Sequence, residues 1–223
     1  PFLKKSYKLI DTLYLSPILF PERPYHNLVK DDKIISDQLN NPLSDSLKAK
    51  QLFEDEFERF KDLPENIKRS YYDLLNENDH FKGFFEYAQY SSNRFSYLFN
   101  SKADNISEIL KGMVCSKANI SRIIESTPTE LAYALAIIRT GDRYSITPAW
   151  VKHQFPLVDN IIHKLRGINC GECKYCREHL DARKMLKRWF GYDGFRTFNG
   201  ESLQEDAVNA AIQGKSLLAI FPT

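Results

Sequence analysis

Apolar residues recur at helical spacing over most of this chain, and the elements they predict are short. Ala49, Leu52, Phe53, Phe57 and Phe60 form one stripe, which predicts an amphipathic helix. Shorter amphipathic stretches follow at Ile67 to Leu75, Phe81 to Tyr90, Ile106 to Met113 and Ile120 to Ile124, separated by clusters of Asn, Ser and Asp. Leu131 to Arg139 is apolar on nearly every side and is predicted to be a buried helix that Gly141 ends. Its start is marked by Thr127-Pro128-Thr129-Glu130: Thr127 can cap, Pro128 suits the first helical position and Glu130 can close a capping box. The aromatic residues between Tyr71 and Phe99 fall at helical spacing and are read as core rather than as base-stacking surface. Towards the C-terminus the pattern changes. A helix from Gln204 to Gln213 is followed by Gly214 as its stop and by the continuous apolar run Leu217 to Phe221. Such a run reads as a strand covered on both faces, as in a parallel sheet.

Composition adds bounds. The chain has 223 residues, 43% of them hydrophobic, and a formal net charge of +2, enough to bury a core and too balanced to be a polyelectrolyte. No apolar run approaches the length of a membrane span, no signal peptide is present and Pro1 stands where an initiator would, so a piece of a larger cytoplasmic protein is expected, with no membrane partner. Linkers are expected near Asp62 to Glu65 and near Thr140 to Pro148. The organisation expected is three parts: residues 1–62, 63–185 and 186–223.

The four cysteines are too few for a disulfide scaffold, and three stand in the string Cys170-x2-Cys173-x2-Cys176. Thiolates at this spacing can bend back onto one ion, with Gly171 permitting the tight turn. The fourth ligand is expected to be Cys115, with His179, His163 and His153 as imidazole alternatives. Zinc is the first choice; an iron–sulfur cluster stays open, although the position where a ferredoxin-like run would want its next cysteine holds Leu180. From Ile161 to Phe190 there are eight Lys or Arg against three Asp or Glu. Arg177, Arg183, Lys184, Lys187 and Arg188 in this stretch are candidate contacts to a DNA backbone, the competing reading being a solvated helix face. Gly214-Lys215-Ser216 imitates the end of a phosphate-binding loop, but Asn209 stands where that loop needs glycine, and the tripeptide closes a helix instead of opening one.

The residues Phe190, Gly191, Tyr192, Phe195, Arg196, Gln204, Gly214, Pro222 and Thr223 resemble, in order, the opening of the helicase core of RecQ-family DNA helicases. The resemblance covers Leu186 to Thr223 and implies that Tyr192, Arg196 and Gln204 hold the adenine of ATP. A glutamine amide offers one donor and one acceptor, which pair with the N7 and N6 edge of adenine, while an aromatic ring and a guanidinium can stack on the base. The string CGxCxxC is also similar to the zinc motif that these helicases carry after their core, though here it comes before. More faintly, Asp11-Thr12-Leu13, His26, Leu28 and Asp45 are similar to the C-terminal half of DEDD-type 3'-to-5' exonucleases, which implies a metal-binding role for Asp45. Where that family places its general-base histidine this chain has Asn40, which cannot accept a proton from water.

The fold expected is therefore mostly α: the end of an exonuclease-like domain, a helical connector with a cysteine metal knuckle, and a C-terminal helix and strand that start a RecA-like α/β helicase domain. The resemblance implies an ATP-dependent 3'-to-5' DNA helicase that uses ATP and Mg2+ when complete, while this piece alone is expected to be inactive. The alternative is a non-catalytic zinc-containing module that binds DNA or protein.

Overall fold

The structure is a computed structural model that describes residues 10–23, 42–91, 101–141 and 147–218. Among them the chain forms twelve α-helices and no strand, only one antiparallel bridge between Phe198 and Glu201. The predicted strand Leu217 to Phe221 has its first two residues described, in no regular structure; the rest of it, with Pro222 and Thr223, lies outside the described residues. Among the described residues no helix is long and apolar enough to cross a membrane.

The middle of the molecule is built on two apolar helices. α7 (Pro128–Arg139) buries every residue from Leu131 to Ile138 and packs against α1 (Thr12–Leu19), α3 (Glu65–Leu75), α6 (Ile120–Ser126) and α9 (Val158–Arg166). Pro128 takes the first helical position as the sequence predicts, but the capping box does not form. Thr127 ends α6 as well as starting α7, and its hydroxyl donates backwards to the Ile123 carbonyl instead of accepting from the new helix.

α1 is buried from Leu15 to Leu19, and its backbone shows why a helix with a proline inside it holds. Pro17 has no N–H, so the Leu13 carbonyl one turn earlier has no partner within the helix. The indole N–H of Trp150 donates to it at 3.3 Å, from α8 (Ala149–Gln154). Two further carbonyls are taken by side chains too: Tyr133 Oη donates to Tyr14 O at 2.8 Å and, at the far end of the helix, Arg59 Nε to Leu19 O at 3.2 Å. A short buried helix is thus satisfied by its neighbours rather than by water.

α2 (Pro42–Asp62) lays the predicted stripe on this centre, with Phe60 buried and Phe53 and Phe57 packed on the core. With α3 and α4 (Asp79–Tyr87) it makes an edge-to-face aromatic layer in which Phe60 meets Phe84 at 5.2 Å and Tyr90 at 5.4 Å, and Tyr72 meets Phe85 at 5.3 Å. Tyr71, Phe81, Phe84 and Phe85 are core as expected; Phe95, Tyr97 and Phe99 lie outside the described residues. One apolar core contains α1, the end of α2 and α3 to α9, so it runs across the boundary expected at residue 62. The linker expected there is a tight turn in which Leu63 is buried and Pro64 starts α3.

After α5 (Lys102–Ile109), α6 and α9 the chain leaves this core. α10 (Lys174–His179), α11 (Ala182–Phe190) and α12 (Leu203–Ile212) follow; α11 buries only Ala182 and α12 buries nothing. Gly214, in the left-handed region at φ +72°, ends α12 as the sequence predicts, with Lys215 N–H reaching back to Ala210 O. A side chain there would also meet His163 of α9, whose Nε2 stands 3.3 Å from where a Cβ would be.

Candidate metal centre and nucleotide pocket

The knuckle begins where α9 ends. Gly171 adopts φ +69°, which lets the chain turn sharply after Cys170. Cys173 then caps α10, with Cys176 N–H donating to its Sγ at 3.4 Å, and Cys173 N–H donates to Cys170 Sγ at 3.4 Å. The loop after α5 brings the fourth cysteine. It is pinned beside the knuckle by Cys115 N–H donating to Leu165 O at 3.0 Å and by Arg166 Nε donating to Met113 O at 3.1 Å. The Sγ atoms of Cys115, Cys170, Cys173 and Cys176 all lie within 4.8 Å of one another, and Cys170 Sγ is 3.7 Å from Cys176 Sγ. This is a site that can hold a metal ion.

Electrostatics point the same way. Burial opposes ionisation of the Cys173 thiol, yet the N–H groups of Cys176 and Ser116 and the neighbouring sulfurs bring it down to about 6. Backbone N–H groups of Cys173 and Glu172 also lower Cys170, whereas burial raises Cys115 and pushes Cys176 up to about 12. Four thiols this close cannot all ionise unless a cation sits among them. Lys117 and Glu172 bridge the knuckle and the Cys115 loop at 2.8 Å, and Arg166 lies over the Tyr175 ring at 5.9 Å. Neither support is signalled by the cysteine spacing. Of the imidazole alternatives, His179 is exposed and stacks on Tyr175 with centroids 4.7 Å apart, His163 lies against Gly167 and Gly214, and His153 is exposed on α8. None joins the sulfurs in the cluster that the described residues form.

The second site lies where α11 ends and α12 begins. Gly191 closes α11 in the left-handed region, φ +77°, and sends the chain back through Tyr192, Phe195 and Arg196. Together with Leu186, Phe190, Gly194 and Gln204 they line a cavity of about 310 Å³. Tyr192, Arg196 and Gln204, named from the sequence alone, thus face one space. Arg196 N–H donates to Gln204 Oε1 at 3.4 Å, which orients the amide and leaves its Nε2 to donate elsewhere. Phe190 and Tyr192 are 71% and 63% exposed, so an aromatic face is available at the cavity mouth.

No family model, curated protein or solved structure matches this chain.

The basic residues do not form a free stripe. Arg183 forks onto Glu205 of α12 at 2.7 and 3.1 Å, Lys187 pairs with Asp193 at 2.7 Å, and Lys184 Nζ donates to Arg177 O at 3.0 Å. Arg177 is exposed on α10, and Arg188 is exposed with its guanidinium 5.6 Å over Trp189. Nearer the N-terminus, Asp11 caps α1 by accepting Leu13 N–H at 3.1 Å, and Asp45 stands in the first turn of α2, where a negative charge suits the helix dipole. Asp45 is not part of the metal-binding group; His26, Leu28 and Asn40 lie outside the described residues.

Proposed function

We propose that this chain belongs to an ATP-dependent 3'-to-5' DNA helicase of the RecQ type, with α11 and α12 as the adenine-side opening of its RecA-like core. A zinc ion on Cys115, Cys170, Cys173 and Cys176 fastens that opening to the helical bundle. The observation that carries the nucleotide reading is the convergence of Tyr192, Arg196 and Gln204 on one cavity of about 310 Å³. Gln204 offers adenine a donor and an acceptor, Tyr192 stacks on the ring, and Arg196 fixes the amide through its own N–H. ATP and Mg2+ are the cofactors of the complete enzyme and DNA its partner, with Arg177 and Arg188 the cations best placed to meet phosphates.

Zinc is supported over an iron–sulfur cluster by spacing. Tetrahedral zinc with bonds of about 2.3 Å sets its sulfurs about 3.8 Å apart, close to the 3.7 Å between Cys170 and Cys176. A cluster must fit several irons and sulfides between its cysteines, which spreads them further.

The adenine reading is tested by titrating the 223-residue protein with adenosine and guanosine while following the Gln204 side-chain amide and the Tyr192 ring by NMR. Adenosine is expected to shift both and guanosine neither, and Gln204→Ala to remove the preference. Equal responses to the two nucleosides would leave the chain as a zinc-containing binding module without nucleotide chemistry.

A further inference from the structure

We infer that the Arg183–Glu205 ion pair is a positioning clamp that sets the base specificity of the nucleotide pocket, rather than Arg183 being a DNA contact. This rests on the adenine reading of that pocket. The pocket is assembled from two helices that share no core: its aromatic side comes from the end of α11 and the turn after it, and its amide from the first turn of α12. Apolar packing therefore does little to fix the distance between them.

The clamp does what packing does not. Arg183 lies in the first turn of α11, and its Nε and Nη2 reach Glu205 Oε1 and Oε2 at 2.7 and 3.1 Å. A planar guanidinium on both carboxylate oxygens constrains orientation as well as distance, which a lysine at the same place does not do. Glu205 is the neighbour of Gln204, so holding the Glu205 carboxylate fixes the start of α12 and the direction in which the Gln204 amide leaves it. The opposite edge of that amide is held by Arg196 N–H at 3.4 Å, a long bond that tolerates little drift. The Arg183 side chain is 69% exposed and that of Glu205 20%, so the pair adds little to overall stability. Its effect is local and falls on the group that reads the base.

The test uses the metal-loaded 223-residue protein and four variants: Arg183→Ala, Arg183→Lys, Glu205→Gln and the charge swap Arg183→Glu with Glu205→Arg. In the absence of nucleoside, the Gln204 side-chain amide and the Arg196 N–H resonances are expected to move in all three single variants and to return towards their original positions in the swap. With nucleosides, the ratio of adenosine to guanosine affinity is expected to fall about two- to five-fold in the single variants, the range an exposed ion pair commands, while the melting temperature stays unchanged. Unmoved Gln204 and Arg196 resonances in Arg183→Ala overturn the clamp, whatever the nucleosides do. An original protein without adenosine preference overturns the adenine reading instead, and the resonances still decide whether the clamp holds the amide.

Discussion

The bundle of α1 to α9 and the tail of α10 to α12 are both helical, but they are held by different forces. The bundle has one contiguous apolar core with Leu75, Phe81, Leu131, Leu135 and Leu165 at 0% exposure. At roughly 1.5–3 kcal/mol for each fully buried large side chain, burial is the bundle's main favourable term. The tail has a small core in which its Tyr175 and Cys176 are buried together with Cys115 from the loop after α5, while Trp189 and Phe190 stand 67% and 71% exposed. A segment with so little to bury needs another source of order, and the four clustered sulfurs are a site where a metal ion could supply it. Helical structure alone thus tells nothing of what stabilises it; the number of buried apolar side chains does.

The sharpest way to break this comparison is to take the metal away. Zinc binding to such sites is worth on the order of 10 kcal/mol of folding free energy in small domains, so Cys173→Ser or exhaustive chelation is expected to abolish amide protection at Cys176, Arg177 and Leu180. Protection in α7 is expected to stay within a few-fold of its original value. Hydrogen exchange with metal analysis measures both, and one zinc per chain is expected before treatment. Loss of the two regions together would show that the bundle depends on the metal as well.

Much of this division is legible in the sequence, and the reason is that each part announces its own source of order. The run Leu131 to Ile138 has no polar face, so it can only be interior; the CxxC spacing brings sulfurs together whatever surrounds them. Choosing Cys115 as the fourth ligand needs only the cysteine count, and the structure brings it to the cluster. What the sequence hides is pairing at a distance. That Trp150 serves the carbonyl freed by Pro17, or that Arg183 meets Glu205, depends on how helices cross, and no local pattern encodes it. The capping box at Thr127 fails for a related reason: adjacent helices compete for one hydroxyl. One core runs across the boundary expected at residue 62, because a short polar stretch with a proline, such as Asp62 to Glu65, looks the same inside a domain as between two.

pH sharpens the contrast from the side of the bundle. Glu56 of α2 is fully buried with neither carboxylate oxygen hydrogen-bonded among the described residues, and burial raises its pKa from 4.5 to about 9, against an opposing pull from Arg23. In the folded protein it keeps its proton to about pH 9, whereas in the unfolded chain it loses it near 4.5. Between those limits the folded state holds more protons, so stability falls as pH rises, by about 1.4 kcal/mol per pH unit. Below pH 4.5 the penalty vanishes, and at pH 7 it reaches about 3 kcal/mol. Glu56→Gln is therefore expected to be more stable than the original at neutral pH, with a gap in thermal unfolding that widens from pH 5 to pH 8. Parallel curves for the two proteins would mean that Glu56 is ionised and solvated in the fold. Metal content should be the same in both, since the effect belongs to the bundle.

The smallest effect tests how α1 is held in the centre. If the Trp150 indole serves the Leu13 carbonyl that Pro17 leaves open, Trp150→Phe keeps an aromatic ring but loses the indole N–H and strands a carbonyl, at a cost of about 1–3 kcal/mol on top of the lost ring volume, which a double-mutant cycle cancels. Replacing Pro17 by Ala restores an N–H that can bond Leu13 O within the helix, so the same Trp150→Phe change made on Pro17→Ala should cost less. Denaturant unfolding of the four proteins forms a double-mutant cycle, and a coupling energy near zero would show that the indole and the proline act independently. A positive coupling would mean that the break in α1 and its repair by α8 form one unit, a long-range pairing of the kind that only the apolar bundle needs.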